Sequence, residues 1–562
     1  MNYEDKINVL PYIFGIFILS SYTFILSYRS KWLAILIASC FFIMIIYKTN
    51  LKFSIIMLIF FCVPIINNIY YNDIDILGDE DIRIISINSY VAIGEVQGRK
   101  AYLSGNIKGM NLGDKVTLSG DFDKNLNREK GIIGEYSVKN FKKLDIDLKG
   151  KIYKLRESIF DSLKEKLGYR RAAIVTSISF GYTEFLDRED KENMKSLGIL
   201  HAISVSGLHM VLVYSILKKI FGERISPFIS IVYVIFTGAA LSTVRAYIMM
   251  ICMSLATPLK RNYNPLAGLS LSGILIMLYK PYSVFEIGFQ LSFLATLGII
   301  LFNKRINKKL YKISKTIREG VSICISAQIF TFPVLVGCFK EFSLGFLLGN
   351  LILLPLINIV VILGNLLALV IKSELIFNYI AFLTYYVTMF IDIATEWLIN
   401  ITPKTIYLNE TINIGYIIML ITVYFYKKGY KKIIYLPMSM IMYFYIFIYS
   451  PFPKIEYFKD GAISLSYRGD RAVVALKKGA NLEKFKSITL SQKVYKDFDN
   501  ININSEFRML KYNNNIILNG RDKNYLLKVS KGKNSTDYDI IDFKEGSYSK
   551  IILFRNKVLV LD

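Results

Sequence analysis

A chain of 562 residues has two histidines, and both lie in one apolar stretch, GILHAISVSGLHMVLV, from Gly198 to Val213. Histidine among serines admits three chemistries: a metal site, a nucleophile with its base, or the polar lining of a path through a membrane. Ligand pairs on a helix sit three or four residues apart, so that both reach one ion. His201 and His209 are eight apart, about 80° round a continuous helix and about 12 Å along it. No Cys, Asp or Glu stands in their segment. Ser206 sits in SVSGL, not in a G-x-S-x-G elbow, and the segment offers no carboxylate to orient a base. No metal site, cofactor or catalytic residue is expected. Ser204, Ser206, Gly207 and His209 then read in two ways. They either bind helix to helix at close approach or line a water-filled path.

Other polar residues interrupt apolar runs. Arg245 lies in ALSTVRAYIMM. An arginine near mid-membrane costs about 2.5–3.5 kcal/mol on insertion scales, so it faces away from lipid unless STVR is a short outer loop. Gln290 and Ser292 stand in FEIGFQLSFLA, Gln328 and Pro333 in SAQIFTFPV, and Asn350 and Pro355 in GNLILLPL. Helices broken at such places open backbone to a cavity. Asp392 and Glu396 share a helix face beside Trp397 and read as a membrane boundary.

The elements that must hold these residues are membrane spans. Hydrophobic residues make up 53% of the chain and mean hydropathy is +0.40. Apolar runs long enough for about 30 Å of hydrocarbon recur throughout. The expected fold class is a polytopic α-helical membrane protein of about 11–13 spans with two β-rich regions. Spans are expected near 10–28, 32–47 and 52–71, then near 198–217, 227–241, 246–258, 264–281, 284–302, 319–339, 344–371, 375–400, 411–426 and 433–450. The pieces 227–241 and 246–258, parted by STVR, admit one broken helix. The first run lacks a basic leader and an A-x-A-like site, so it reads as an uncleaved span. The five cysteines all lie in apolar segments and read as buried thiols, outside any disulfide or zinc framework.

Between the third and fourth spans, residues 73–151 alternate in period two: YVAIGEVQ, KAYLSGNI, KVTLSGDF and GEYSVKNF. That pattern predicts a small antiparallel β domain, and a five-strand OB-like barrel fits its length. Residues 152–168 have helical spacing and predict an amphipathic helix on the membrane surface or docked on the bundle. Residues 172–180 are too short to span and read as interfacial or re-entrant, which makes 152–197 an amphipathic and interfacial stretch. Residues 451–562 carry short apolar runs and predict β structure; they contain no His and no Cys. Basic loops at Lys304–Arg318 and Lys427–Lys432 fall four spans apart, which places both in the cytoplasm. The two β-rich regions then face outward, as does the Arg29–Lys31 loop, against the charge rule. The net charge of +25 reads first as topology signal and attraction to anionic lipid, and second as a surface for a polyanion.

Four segments in this order resemble the ComEC family of competence proteins, which carry single-stranded DNA across the bacterial membrane. They are GILHAISVSGLHMVLV, GAALSTVRAYIMM, NPLAGLSLSGILIMLYKP with FEIGFQLSFLATLGI, and SAQIFTFPVLVGCFKEFSLGFLLGNLILLPL, together about 198–365. The resemblance implies an inner-membrane channel for DNA uptake in a multi-pass protein of the cell membrane, its transmembrane core over 198–450. An external OB-like domain would touch the strand, with Arg99, Lys100, Lys108, Lys115 and Lys124 as DNA-binding candidates. It further implies a DNA receptor outside, an ATP-driven helicase or translocase in the cytoplasm, and possible pairing with a separate nuclease. The chain has no G-x-x-x-x-G-K-[ST] loop of its own. The family's C-terminal part resembles a metallo-β-lactamase built on H-x-H-x-D-H. Here that region is short and histidine-free, with GAISLSYRGDRAVVALKKG resembling a worn first hairpin, so no nuclease activity is expected. A small-solute or lipid transporter would explain the spans as well, though not the β domain and the four ordered segments.

Overall fold

The computed structural model describes the chain except residues 1–8, 49–50, 75, 77–78, 89–90, 204, 478, 497, 505, 513–514, 521–522, 531–537, 545–548, 555–556 and 562. It divides into two compact units, 1–331 with 343–404, and 332–342 with 405–562.

The first unit begins with three apolar helices, α1 (Leu10–Arg29), α2 (Lys31–Lys48) and α3 (Leu51–Asn72), within a residue or two of the expected spans. Their outer faces keep large apolar side chains exposed, Trp32 at 84% and Leu51 at 66%. A surface of this kind is stable only against a hydrocarbon solvent.

After α3 the period-two segment closes into a five-stranded barrel. Its strands are β1 (Glu80–Ile87), β2 (Ala92–Val96), β3 (Arg99–Gly105), β4 (Lys115–Asp123) and β5 (Ile132–Lys143). They pair in the order β1-β2-β3-β5-β4, with β4 closing on β1 and β3 parallel to β5. Alternate residues point inward: Ile82 and Ile84, Ala101 and Leu103, Val116 and Leu118, Tyr136 and Val138 are buried. The Tyr136 hydroxyl donates to the Leu118 carbonyl at 3.1 Å, which satisfies the one polar atom that its ring carries into the core.

Docking of the barrel on the helices uses backbone ends. Arg99 donates from Nε and Nη2 to the Tyr71 and Tyr70 carbonyls at 2.8 Å each, where the last carbonyls of α3 lack helical partners. Tyr71 donates from its hydroxyl to the Gly131 carbonyl at 2.8 Å. Gly131 has φ +68°, and a Cβ there would lie 2.3 Å from the Tyr282 ring. Lys100 pairs with Glu286 at 2.9 Å and lies over the Tyr282 ring. Arg29 pairs with Glu129 at 2.9 Å, which puts the α1–α2 turn on the barrel's side.

Helix α4 (Leu148–Leu167) follows, capped by the Asp147 carboxylate on the Gly150 N–H. It docks on the bundle, burying Ile159, Phe160, Leu163 and Leu167, so of the two placements the sequence allowed the docked one holds. Its buried Arg156 donates to the Phe236 carbonyl. In helix α5 (Tyr169–Phe180) every residue from Ala172 to Phe180 is buried. It is a short helix enclosed in the core, and α6 (Arg188–Ser196) is the polar piece beside it.

The expected span 198–217 is corrected. It opens with a 3₁₀ turn, Leu200–Ala202, and Val205 and Ser206 are non-helical. Helix α7 (Gly207–Phe236) starts only there and breaks at Gly222, φ +78°, into two arms. STVR is not a connection either. It lies inside α8 (Leu241–Ala256), and the chain turns earlier, at Gly238 and Ala239 with φ +83° and +51°. Then come α9 (Pro265–Tyr279), a 3₁₀ turn at Pro281–Phe285, α10 (Ile287–Lys309), α11 (Lys315–Phe339), α12 (Phe346–Leu369) and α13 (Glu374–Ile401). Seven described helices are long and apolar enough to cross a membrane, and three shorter apolar ones accompany them. The shortfall from about 11–13 arises where arms and helices of roughly 15 residues rise only about 22 Å. The cysteines are corrected too: Cys40, Cys62 and Cys338 are exposed and none is buried. Hydropathy alone does not separate a lipid-facing side chain from a core one.

The second unit contains the end of α11, a two-strand pairing of β6 (Glu341–Phe342) with β7 (Ile406–Tyr407), then α14 (Glu410–Lys427) and α15 (Met438–Tyr449). Past them lie β8 (Lys454–Phe458), β9 (Ala462–Tyr467), β10 (Asp470–Ala475), α16 (Leu482–Thr489), β11 (Lys493–Tyr495), β12 (Asn500–Asn502), β13 (Arg508–Tyr512), β14 (Asn515–Asn519), β15 (Asn524–Lys528), β16 (Asp539–Asp542), β17 (Lys550–Phe554) and β18 (Lys557–Val560). They form a sheet β11-β10-β9-β8-β17-β18 and a sheet β12-β13-β14-β15-β16. Both share one core, with Ile455, Leu465, Ile516, Leu518, Leu527 and Ile551 buried. The 3%-exposed Arg471 donates to the Ile448 and Phe447 carbonyls at the end of α15 and to Thr489. Glu410 receives Lys340 and Lys550, each at 3.1 Å.

Two outcomes follow from the barrel's attachment. Gly131→Ala forces a Cβ against the Tyr282 ring and is expected to cost about 1–3 kcal/mol. Gly98→Ala, also at positive φ but with open space around it, is expected to cost about 1 kcal/mol from backbone strain alone. Thermal unfolding of the two variants checks the difference. Asp147 is held down to about 2 by the Arg83 guanidinium beside it and by the Gly150 N–H. A depressed carboxyl contributes stability that is present above its unfolded value of about 4 and is lost as pH falls towards about 2. The unfolding midpoint should therefore drop with acid across that window, and Asp147→Asn should flatten this part of the profile.

Candidate functional site

The site is built where α7 begins inside the bundle. The non-helical backbone before Gly207 exposes polar groups, and α8 supplies partners: Ser242 Oγ and Thr243 Oγ1 both donate to the Val205 carbonyl, at 3.0 and 3.2 Å. Those hydroxyls lie in the STVR piece. A reading that treated it as a loop missed them, and the adjacent Ser-Thr before an intramembrane arginine was the available signal. The Ser206 N–H donates to His209 Nδ1 at 3.3 Å. This fixes the tautomer, so Nε2 carries the proton. His209 is fully buried and its Nε2 has no partner.

Arg245 lies one turn into α8, 8% exposed. Its Nη1 donates to Thr296 Oγ1 on α10 and lies 3.9 Å from Met249 Sδ, while the guanidinium carbon stands 5.9 Å from the centre of the Phe293 ring. Its Nη2 lies over the start of α7: a Cβ on Gly207 would meet it at 2.8 Å. Nε has no partner. One turn before Thr296, Ser292 Oγ is also buried and unpartnered. Thr296 was not singled out from the sequence, since a lone threonine in LATLG gives no periodic signal.

The fold thus brings Ser206, Gly207, His209, Arg245 and Ser292 to one place. The other residues singled out from the sequence lie elsewhere. His201 is exposed, on the turn before the break, and lies close enough to His209 to act on it electrostatically. Ser204 lies outside the described residues. Gln290 donates to the Val284 carbonyl at 3.0 Å at the start of α10. Gln328 accepts from Thr331 at 2.8 Å, and the Pro333 carbonyl accepts from Asn413 at 2.9 Å. Asn350 turns back to the Phe346 carbonyl of its own helix. Pro355 stands inside α12, whose Gly349 packs so closely on the Leu197 carbonyl that a Cβ would lie 2.4 Å away. A separate cavity of about 520 Å³ lies between α10 and α11, lined by Asn303, Lys304, Asn307 and Glu319.

On the barrel, the five basic residues divide. Arg99 and Lys100 hold the barrel to the helices, and Lys115 pairs with Asp81 at 2.9 Å. Lys108 and Lys124 are exposed. Among the described residues, no three His, Cys, Asp or Glu side chains gather as a metal site.

Residues 178–428 match the family model described as competence protein. The chain is 27% identical over 271 residues to ComE operon protein 3 of Bacillus subtilis (strain 168), a match that covers 46% of this chain and 34% of that one. It is 26% identical over 305 residues to an uncharacterized protein of Aquifex aeolicus (strain VF5), covering 52% and 70%. A third relative, an uncharacterized protein of Mycoplasma genitalium, is 26% identical over 187 residues, covering 30% and 48%. The chain thus spans about a third of the length of the Bacillus relative. No solved structure matches it. The break before Gly207, the arginine above it and most of the apolar helices fall inside the matched region, so over residues 178–428 this chain is similar to the competence proteins.

Proposed function

We propose that this chain forms the path by which single-stranded DNA crosses the cell membrane during natural transformation. The observation that carries the proposal is the folding of two matched segments onto each other inside the bundle. GILHAISVSGLHMVLV and GAALSTVRAYIMM meet through the Val205 carbonyl and through Arg245 above Gly207. Polar groups gathered within apolar helices face one another or a water-filled space, not lipid.

The barrel supports the same reading. Its strand order β1-β2-β3-β5-β4 supports reading it as an OB fold, a scaffold for single strands, with Lys108 and Lys124 exposed on it. Basic loops at Lys304–Arg318 and Lys427–Lys432 favour a cytoplasmic face there, and the barrel, attached at the start of α10, then lies outside. The Arg29–Lys31 turn lies with it, and Arg29 is paired with Glu129. The C-terminal sandwich, read as a degenerate metallo-β-lactamase-like fold, contains no histidine and is proposed to lack nuclease activity. A receptor outside, an ATP-driven translocase inside and a separate nuclease would complete the pathway.

Deleting the gene in its native host should lower transformation frequency by orders of magnitude, and the wild-type gene should restore it. Arg245→Ala and His209→Ala should fail to restore it while still inserting in the membrane. Normal transformation in the deletion strain would refute the proposal.

A further inference from the structure

We infer that the start of α7 and Arg245 form an anion site inside the bundle, and that it takes a phosphodiester oxygen. The second half of this inference rests on the DNA reading above; the first does not.

Charge is the argument. The first turn of a helix presents N–H groups without intrahelical partners and the positive end of the helix dipole. Against that end stands a guanidinium, its Nη2 directed at Gly207 and its Nε unpartnered. Two positive features buried face to face are unfavourable unless an anion lies between or beside them. The described residues supply none. Helices α8 and α10 contain no carboxylate, Glu286 before α10 is paired with Lys100, and Glu223 in α7 lies beyond the break and pairs with Lys218 at 2.8 Å. Among the described residues Arg245 has no ion pair.

The surrounding groups also point to an acceptor ligand. His209 Nε2 carries a proton with nowhere to donate it, and Ser292 Oγ is buried without a partner. Both are donors of the kind that phosphate oxygens receive. The depth fits too. Charged residues Lys218, Lys219, Glu223 and Arg224 flank the break in α7, so its first arm rises only about 22 Å from that charged level. The helix therefore begins within about 30 Å of hydrocarbon, as half-helices do at the substrate sites of transporters. Glycine at position 207 leaves room for the guanidinium to reach the helix end.

The test uses the full chain in lipid nanodiscs, with dimethyl phosphate as a singly charged phosphodiester probe and thermal unfolding as the readout. Dimethyl phosphate should stabilise the wild type saturably, and trimethyl phosphate, which is neutral, should not. Arg245→Gln should weaken the response tenfold or more, and Arg245→Lys should retain part of it. Gly207→Ala guards against misfolding, because alanine suits a helical position, yet it displaces Nη2; it should melt no lower than wild type and respond more weakly. No saturable response in the wild type, or an equal one in Arg245→Gln and Gly207→Ala, overturns the site. A fluorescent oligodeoxynucleotide added to the same samples separates the two claims. Arg245-dependent stabilisation by dimethyl phosphate without oligonucleotide binding keeps the anion site and sinks the DNA reading. Oligonucleotide binding that ignores both substitutions, with no dimethyl phosphate response, does the reverse.

Discussion

Backbone that leaves a helix inside an apolar bundle must find partners for its N–H and C=O groups, because no solvent there will supply them. Val205 and Ser206 meet that constraint through their neighbours. Ser242 and Thr243 satisfy the Val205 carbonyl, and His209 turns back to the Ser206 N–H. Each partner in turn fixes an element. The hydroxyls require α8 to begin at Leu241, which sets Arg245 one turn in and above Gly207. The arginine reaches Thr296 and so ties α10 to the same point. The break in one helix thereby determines the packing of three.

The same economy of backbone ends attaches the barrel. Carbonyls at the end of α3 receive Arg99, and the Gly131 carbonyl receives Tyr71, so the barrel is held by groups that any helix or turn leaves unpaired. Lys100 with Glu286 adds a charged contact at the start of α10. In the second unit Arg471 performs the equivalent task, capping the final carbonyls of α15 from a β-sandwich. Arginine suits this work because its planar fork serves two carbonyls at once and stays charged when buried.

These assignments change which basic residues are available to a ligand. Arg99, Lys100 and Lys115 looked like a binding surface when only their charge was considered, yet each is engaged within the molecule. Arg245 looked like an expensive anomaly, and among the described residues it has no ion pair and leaves its Nε without a partner. Position, more than charge count, separates a structural cation from one that is free to recognise an anion.

Much of the architecture is legible in the residues alone. Apolar runs locate α1, α2, α3 and the later helices, because hydrocarbon thickness imposes a length that composition reveals. Period-two alternation locates the barrel strands, because a strand has two faces and one is buried. The order of four segments points to the competence-protein family. What composition leaves undecided is every choice between equivalent apolar environments. Cys40 and Cys62 are exposed where burial was expected, α5 is enclosed by protein on every residue from Ala172 to Phe180, and STVR is helical where a loop was allowed. Hydrocarbon and protein core are alike in polarity, so hydropathy does not tell them apart. The site shows the same division. Sequence offered His209 and Arg245 as scarce polar residues in apolar runs, 36 positions apart. Only the tertiary structure decided that the arginine stands over the start of the histidine's own helix, because that meeting depends on where a helix breaks and what must satisfy its backbone.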